Sequence, residues 1–161
     1  IQQSGEVTEV EWRLVETFQA IFTKNKHMLN NLFTTMNMML VYGRPLLLKE
    51  PLVVNMFIQL SCDAIKDEFK KGSEATQADG AVMLQLILQH VGETVSENQL
   101  ELIIVTVLDG FNREISNTFL KARLLGVILN GFIVNYPVIE RVLQAREMDG
   151  VIMAAIVNNN G

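Results

Sequence analysis

Helix starts recur along this chain at a nearly constant interval, and that interval limits the fold more than any single motif does. Capped or proline-led starts stand at Thr8, Pro51, Ser96 and Pro137, separated by 43, 45 and 41 residues. Between them the apolar residues fall at i, i+3, i+4 and i+7, the pattern of helices with one buried face. A chain built this way reads as a string of helical hairpins. It leaves little room for strands, which need a period of two.

The elements can be placed one by one. Thr8-Glu9-Val10-Glu11 is a capping box, in which the Thr8 hydroxyl serves an orphan N–H and Glu11 reaches back. It opens a helix to about Thr23, with Val10, Leu14, Phe18 and Ile21 inward. Asn25 is a candidate N-cap for a second helix over about 26–42, which carries Leu29, Leu32, Phe33, Met36 and Leu40 inward and ends at Gly43-Arg44-Pro45. Leu46-Leu47-Leu48 reads as a short apolar link. Pro51 suits the first turn of a third helix reaching about Lys71, because its missing N–H would be unpaired there anyway.

Gly72-Ser73-Glu74 is the next turn, and a fourth helix runs from about Ala75 to Val91, where Gly92 stops it. Ser96-Glu97-Asn98-Gln99 forms a second capping box. It leads a fifth helix through Leu100, Ile103, Ile104, Val107, Leu108 and Phe111, whose β-branched residues suit a strand but whose spacing favours helix. Ser116 or Asn117 caps a sixth helix ending near Asn135-Tyr136, Pro137 begins a seventh to about Met148, and Asp149-Gly150 sets off a last run, Val151 to Val157.

An interval of about 40–47 residues holding two helices is the period of HEAT and armadillo hairpins. One helix of each hairpin has an apolar face too broad for its partner to cover, so neighbouring hairpins must stack to bury it. The expected fold is therefore all-α, an α-α superhelix of HEAT/armadillo-like type with about four helical hairpins, spanning residues 1–161 as a single segment. A compact bundle of seven or eight helices with coincidental spacing is the alternative.

Composition agrees with a helical core and narrows the partners. Residues are 49% hydrophobic and only Pro45, Pro51 and Pro137 are prolines, so long helices are permitted. A net charge of −5 argues against a nucleic-acid surface, which needs clustered Lys and Arg, and suits basic partners instead. The single cysteine, Cys62, on an apolar helix face, has no internal partner and points to a reducing compartment. Polar residues interrupt the apolar runs before a membrane span is complete, so no transmembrane segment is expected. The chain begins at Ile1 without an initiator Met or signal peptide and stops at Asn158-Asn159-Asn160-Gly161, the expectation being a fragment of something longer. Without polar terminal hairpins such a fragment is expected to be weakly stable or to self-associate.

Residues that could carry chemistry are few. His27 and His90 lie on separate helices with no Cys, Asp or Glu at zinc-ligand spacing beside either. Asp63, Asp67 and Glu68 stand among Lys66, Lys70 and Lys71, which makes a solvated face of i, i+3 and i, i+4 pairs rather than an acid pair. Met36, Met38 and Met39 could line an adaptable groove, but a methionine stripe is more often core. Gly80, Gly110, Gly126 and Gly131 sit inside helices with no phosphate-binding pattern around them, and close helix packing explains them. Glu6, Glu9, Glu11 and Glu16 give the first helix an acidic surface that would suit a basic partner, although the helix dipole favours acids there in any case. No catalytic, cofactor-binding or metal residue is assigned, and the chain is expected not to be an enzyme.

Ala78 through His90, then Ser96 through Glu114, then Leu120 through Ile128, carry a closer likeness. They include a helix ending Ile87-Leu88-Gln89 before a glycine-containing turn, an apolar helix ending near Phe111-Asn112-Arg113-Glu114, and a helix leading to Asn135-Tyr136-Pro137. This order resembles the C-terminal half of the large importins, nuclear transport receptors of the importin-β superfamily in the importin seven and eight branch. The likeness extends upstream from Glu50 to Thr8. The Asp and Arg ladder of the standard HEAT pattern does not recur, which leaves a HEAT scaffold of another system open: a vesicle coat, chromosome or kinase-associated assembly. A small helical enzyme or ligand-binding bundle is the third reading, and it lacks a converging set of polar groups.

The resemblance implies a scaffold whose inner helices, about 26–42, 75–91 and 117–135, line a concave side. It implies cargo proteins, basic ones such as ribosomal proteins or histones, as partners, and Phe-Gly peptides of the nuclear pore on the outer helices. The GTPase Ran would bind through other, N-terminal repeats, and the protein would shuttle between cytoplasm and nucleus. No partner-binding residue of that family maps onto this chain, and direct contact with nucleic acid or membrane is not expected.

Overall fold

The computed structural model describes residues 13, 29–66, 74–113 and 118–160. The expected helix over 8–23 with its capping box, the caps at Asn25 and at Ser116 or Asn117, and most of the turn after the third helix lie outside these residues. Among the described residues all regular structure is helical, in seven α-helices and one 3-10 turn. They are α1 (Leu29–Tyr42), α2 (Arg44–Leu47), α3 (Pro51–Ile65), α4 (Glu74–Val91), α5 (Glu97–Asn112), α6 (Thr118–Ala145) and α7 (Asp149–Asn160). The all-α class is thus as expected.

Local sequence explains most of the boundaries. The Ser96 hydroxyl accepts from the Gln99 N–H at 3.2 Å while the Gln99 side chain accepts from the Ser96 N–H at 2.9 Å, a complete capping box that starts α5. Pro51 is the first residue of α3. Gly92 ends α4 by passing into the 3-10 turn Gly92–Thr94, where the Thr94 hydroxyl donates to the Val91 carbonyl at 2.7 Å.

Three boundaries differ from the sequence reading. Leu46-Leu47-Leu48 is not a plain link, because Pro45, with its fixed φ, lets Arg44–Leu47 close into a helical turn that buries Leu47 completely. The third helix ends at Ile65, capped by Lys66, short of the expected Lys71. Asp149-Gly150 does not separate the last helices either. The break falls at Glu147, whose φ of 56° is left-handed, and α7 begins at Asp149 itself. The Met148 N–H reaches the Leu143 carbonyl at 2.9 Å and the Glu147 N–H the Gln144 carbonyl at 3.1 Å, the paired bonds of a Schellman ending.

The expected division at Asn135-Pro137 is present as a sharp change of direction inside α6. Asn135 is extended, with φ −158° and ψ 87°, and Pro137 cannot donate to the ladder. The arm before the break buries Leu120, Leu124, Val127 and Ile128, and the arm after it buries Val138, Ile139, Val142 and Leu143. A Cβ placed on Gly131 would come within 2.9 Å of Ile139 Cδ1, so the second arm folds back over the first at a point where a side chain would not fit.

Long-range contacts join residues about one sequence period apart. The Gln99 side chain of α5 donates to Asn55 of α3 at 3.1 Å, and Arg113 just beyond α5 donates to the Ile65 carbonyl at the end of α3. Arg141 of the second α6 arm and Arg146 just beyond it pair with Glu101 and Asp109 of α5. In both pairs the residue numbers rise together, so α3, α5 and the second arm of α6 run parallel in one row. A second row holds α1, α4 and the first arm of α6. There a Cβ on Gly126 would touch Gln85 at 2.9 Å and one on Gly92 would touch Val134 at 2.8 Å, again rising together.

At the centre lies α4, packed against α3, α6 and α1. Its Ala81, Met83, Leu84, Ile87, Leu88 and Val91 are all buried, as are Met36 and Met39 of α1 and Phe57 and Ile58 of α3. The methionines thus belong to the core, Met38 at its half-buried edge. Gly80 is where α4 meets α3 most closely: a Cβ would lie 2.8 Å from the Ser61 carbonyl oxygen and 3.0 Å from Ala64 Cβ. On an exposed helix Gly→Ala stabilises by about 1 kcal/mol. Here overpacking against a backbone oxygen costs about 1–3 kcal/mol, so Gly80→Ala is expected to destabilise by about 1 kcal/mol in urea unfolding. A gain in stability would show that the two helices have room to part. Glu147→Gly is expected to act oppositely, raising stability by about 0.5–1 kcal/mol by relieving the left-handed backbone.

Candidate interaction surface

The row of α1, α4 and the first α6 arm presents one continuous face, and its composition follows from the helical period. On α4 the positions left over from the buried stripe are Asp79, Val82, Gln85, Leu86 and Gln89, which fall at i, i+3, i+6, i+7 and i+10. On α1 they are Thr34, Asn37 and Val41, and on α6 Arg123, Asn130 and Ile133. Neutral amides and aliphatics dominate this face. Charge is concentrated on the other row, where Glu101 and Asp109 meet their arginines across the helix boundary.

Two clefts open beside α4. The larger, of about 450 Å³, lies where α4 ends beside the break in α6 and is bordered by Arg44, Gln89, Glu93, Glu97 and Ile133. Arg44 closes one side of it. Its Nε donates to the His90 carbonyl at 2.8 Å and its guanidinium pairs with Glu93, so this arginine ties the start of α2 to the end of α4. Ile133 stands 83% exposed at the rim, beside the extended backbone of Asn135.

The smaller cleft, of about 280 Å³, lies between α1 and α4. Buried Phe33 and Met83 and half-buried Val82 and Leu86 give it an apolar lining, and the exposed Thr34, Asn37 and Asp79 supply its polar groups. Asp79 is exposed at the rim, yet the packing of α1 over α4 removes enough water to push its carboxyl above the ordinary value of 3.8. Among the described residues it has no ion-pair partner.

Elsewhere the polar groups of the interior are satisfied within their own helices. The Ser61 hydroxyl donates to the Phe57 carbonyl at 2.7 Å and the Thr106 hydroxyl to the Leu102 carbonyl at 2.8 Å. Burial pushes the Cys62 thiol up to about 11, against a smaller opposing pull from its hydrogen bond with Thr106. A thiol held in its protonated form is a poor nucleophile and metal ligand. The His90 ring is half-buried at the end of α4, and it is the backbone carbonyl, not the ring, that engages Arg44. Among the described residues no three of His, Cys, Asp and Glu come together.

The other sequence candidates are placed as follows. His27, Asp67, Glu68, Lys70, Lys71 and the acidic set Glu6, Glu9, Glu11 and Glu16 lie outside the described residues. Asp63 is half-buried and Lys66 exposed on α3. One helix, α6, is long and apolar enough to cross a membrane by length and composition, which counting interrupting polar residues did not single out. Its break at Asn135 and the buried stripes on both arms belong to its packing against α4 and α5. The α1–α4 cleft was missed altogether. Its signal in the sequence is the 42-residue offset between Asn37 and Asp79, close to the spacing of the helix starts.

No family model, curated protein or solved structure matches this chain.

The desolvated carboxylate of Asp79 has a measurable consequence. Because the folded chain holds this proton more tightly than the unfolded chain, its contribution to stability is full below the ordinary value of 3.8 and is lost as pH rises through the higher folded value. Asp79→Asn removes that loss. The variant is expected to gain stability relative to the parent between about pH 3 and about pH 7, read by urea unfolding at both; a relative loss over that range would mean that Asp79 is stabilised in its charged form.

Proposed function

We propose that this chain is part of an α-α superhelix of HEAT type, working as a non-enzymatic, protein-binding segment of an importin-like nuclear transport receptor. The observation that carries the architectural half is the packing of helices with the helix two elements on, in two parallel rows, through contacts offset by about one period. α4 is buried only because α1 and α6 flank it, which is how a stacked array distributes its core. The exposed Val151, Met153 and Val157 of α7, opposite the buried Ile152, offer the same kind of surface that α4 gives to α6.

The transport half rests on the likeness of residues 78–90, 96–114 and 120–128 to the large importins. In that reading the neutral face of α1, α4 and α6 is where cargo protein lies, and basic cargo suits the net charge of −5. Ran would act through other repeats of the parent protein and Phe-Gly peptides would dock elsewhere. Small shifts between hairpins would couple binding at one end to release at the other.

The test uses the protein that carries this segment in full. A basic protein bound to it is expected to be released by Ran loaded with a non-hydrolysable GTP analogue and retained with Ran-GDP, followed by co-sedimentation. Equal retention in both states would remove the transport reading and leave a HEAT scaffold of another assembly.

A further inference from the structure

We propose that the α1–α4 cleft receives a single basic side chain, lysine or arginine, of a partner polypeptide, with the alkyl stem over Phe33, Met83 and Leu86 and the cation between Asp79 and Asn37. This rests on the reading of the chain as a polypeptide-binding scaffold and names the chemistry of one subsite on it.

Where acidic side chains stand at a contact between successive hairpins, an arginine from the neighbouring hairpin meets them: Arg44 meets Glu93, Arg141 meets Glu101 and Arg146 meets Asp109. Asp79 stands at such a contact too. The polar residues that α1 brings to the same cleft are Thr34 and Asn37, neutral groups where the other contacts supply a cation. A carboxylate and an amide therefore line one cleft, and neither side chain makes a hydrogen bond within the described residues.

Shape selects the ligand further. The larger part of the lining is apolar, formed by two buried side chains, Phe33 and Met83, and by Val82 and Leu86. A basic side chain has this same division, a hydrocarbon stem that favours apolar contact and a charged end that needs acceptors. The volume of about 280 Å³ is ample for one such side chain. An acidic group would meet the carboxylate, and a purely apolar one would leave it desolvated without a partner. The opening lies on the face shared by α1 and α4, so the rest of the partner chain can run over the neutral amides Gln85 and Gln89 without crossing another charged group on α4.

The experiment is a nitrogen-15 chemical-shift titration of the whole chain with lysine blocked as N-acetyl-lysine methylamide. Blocked Nε-acetyl-lysine and blocked norleucine serve as ligands lacking the charge. Blocked lysine is expected to give saturable shifts at the Asn37 side-chain amide and along the backbone from Asp79 to Leu86. Both neutral ligands are expected to bind at least tenfold more weakly. Asp79→Asn, isosteric and at an exposed position, is expected to weaken the lysine ligand at least tenfold, and Asn37→Leu at least threefold, while Glu97→Gln at the other cleft leaves it unchanged. Absence of saturable shifts, equal binding of norleucine, or an unaltered titration in Asp79→Asn overturns the proposal. The outcome separates from the Ran experiment: a cleft that binds lysine in a protein indifferent to Ran-GTP keeps this subsite and loses only the transport reading.

Discussion

The structure depends on one constraint, that no hairpin here can bury its own apolar surface. α4 carries one wide stripe of buried residues, Ala81 and Leu84 as well as Ile87, Leu88 and Val91. α3 covers only part of that. The remainder is covered by α1 before it and α6 after it, helices of neighbouring hairpins, so the core is continuous through the described chain rather than divided into units. Burial of this kind contributes about 25 cal/mol for each Å² removed from water, and it is shared between the α3–α4 contact and the contacts of α4 with α1 and α6.

That constraint sets the position of everything polar. Ionised groups are kept to the rims of the rows, where Arg44, Arg141 and Arg146 find their acids. At such exposed positions each pair is worth at most about 1 kcal/mol, so these contacts fix the register between hairpins more than they hold them together. The two clefts are products of the same geometry. Parallel helices packed through their sides leave a furrow on each face, and residues of the exposed period, Asp79 and Asn37 among them, line it.

Periodicity and capping made the helices legible in advance. The Ser96 box and Pro51 are local signals that need no tertiary context, and they placed α5 and α3. Pro137 likewise announced the break in α6, since its ring and missing N–H act on the four residues before it whatever surrounds them. The boundaries that moved are those decided by packing. Leu47 is drawn into the core and carries Arg44–Leu47 into a helical turn. Met148 is buried and pulls the chain around Glu147 into a left-handed ending, although Asp149-Gly150 looks like the better break from sequence. The α1–α4 cleft was hidden for a different reason: each wall is an unremarkable polar helix face, and only the pairing of two positions one period apart makes a site.

The way Ser61 and Thr106 satisfy their hydroxyls has a mechanical meaning. Both are buried in the layer where α3 and α5 meet the rest of the core, and both donate back along their own helices. Apart from the weak contacts between Cys62 and Thr106 and between the Asn112 amide and the Met148 sulfur, the interior surfaces between helices are therefore joined by dispersion and water exclusion, which have no preferred direction. A rotation of one hairpin against the next by a few degrees slides methyl groups past one another and ruptures no buried hydrogen bond. Resistance to bending resides instead in the rim, in Arg44, Arg113 and Gln99, which act as tethers of limited length on an otherwise compliant helical core.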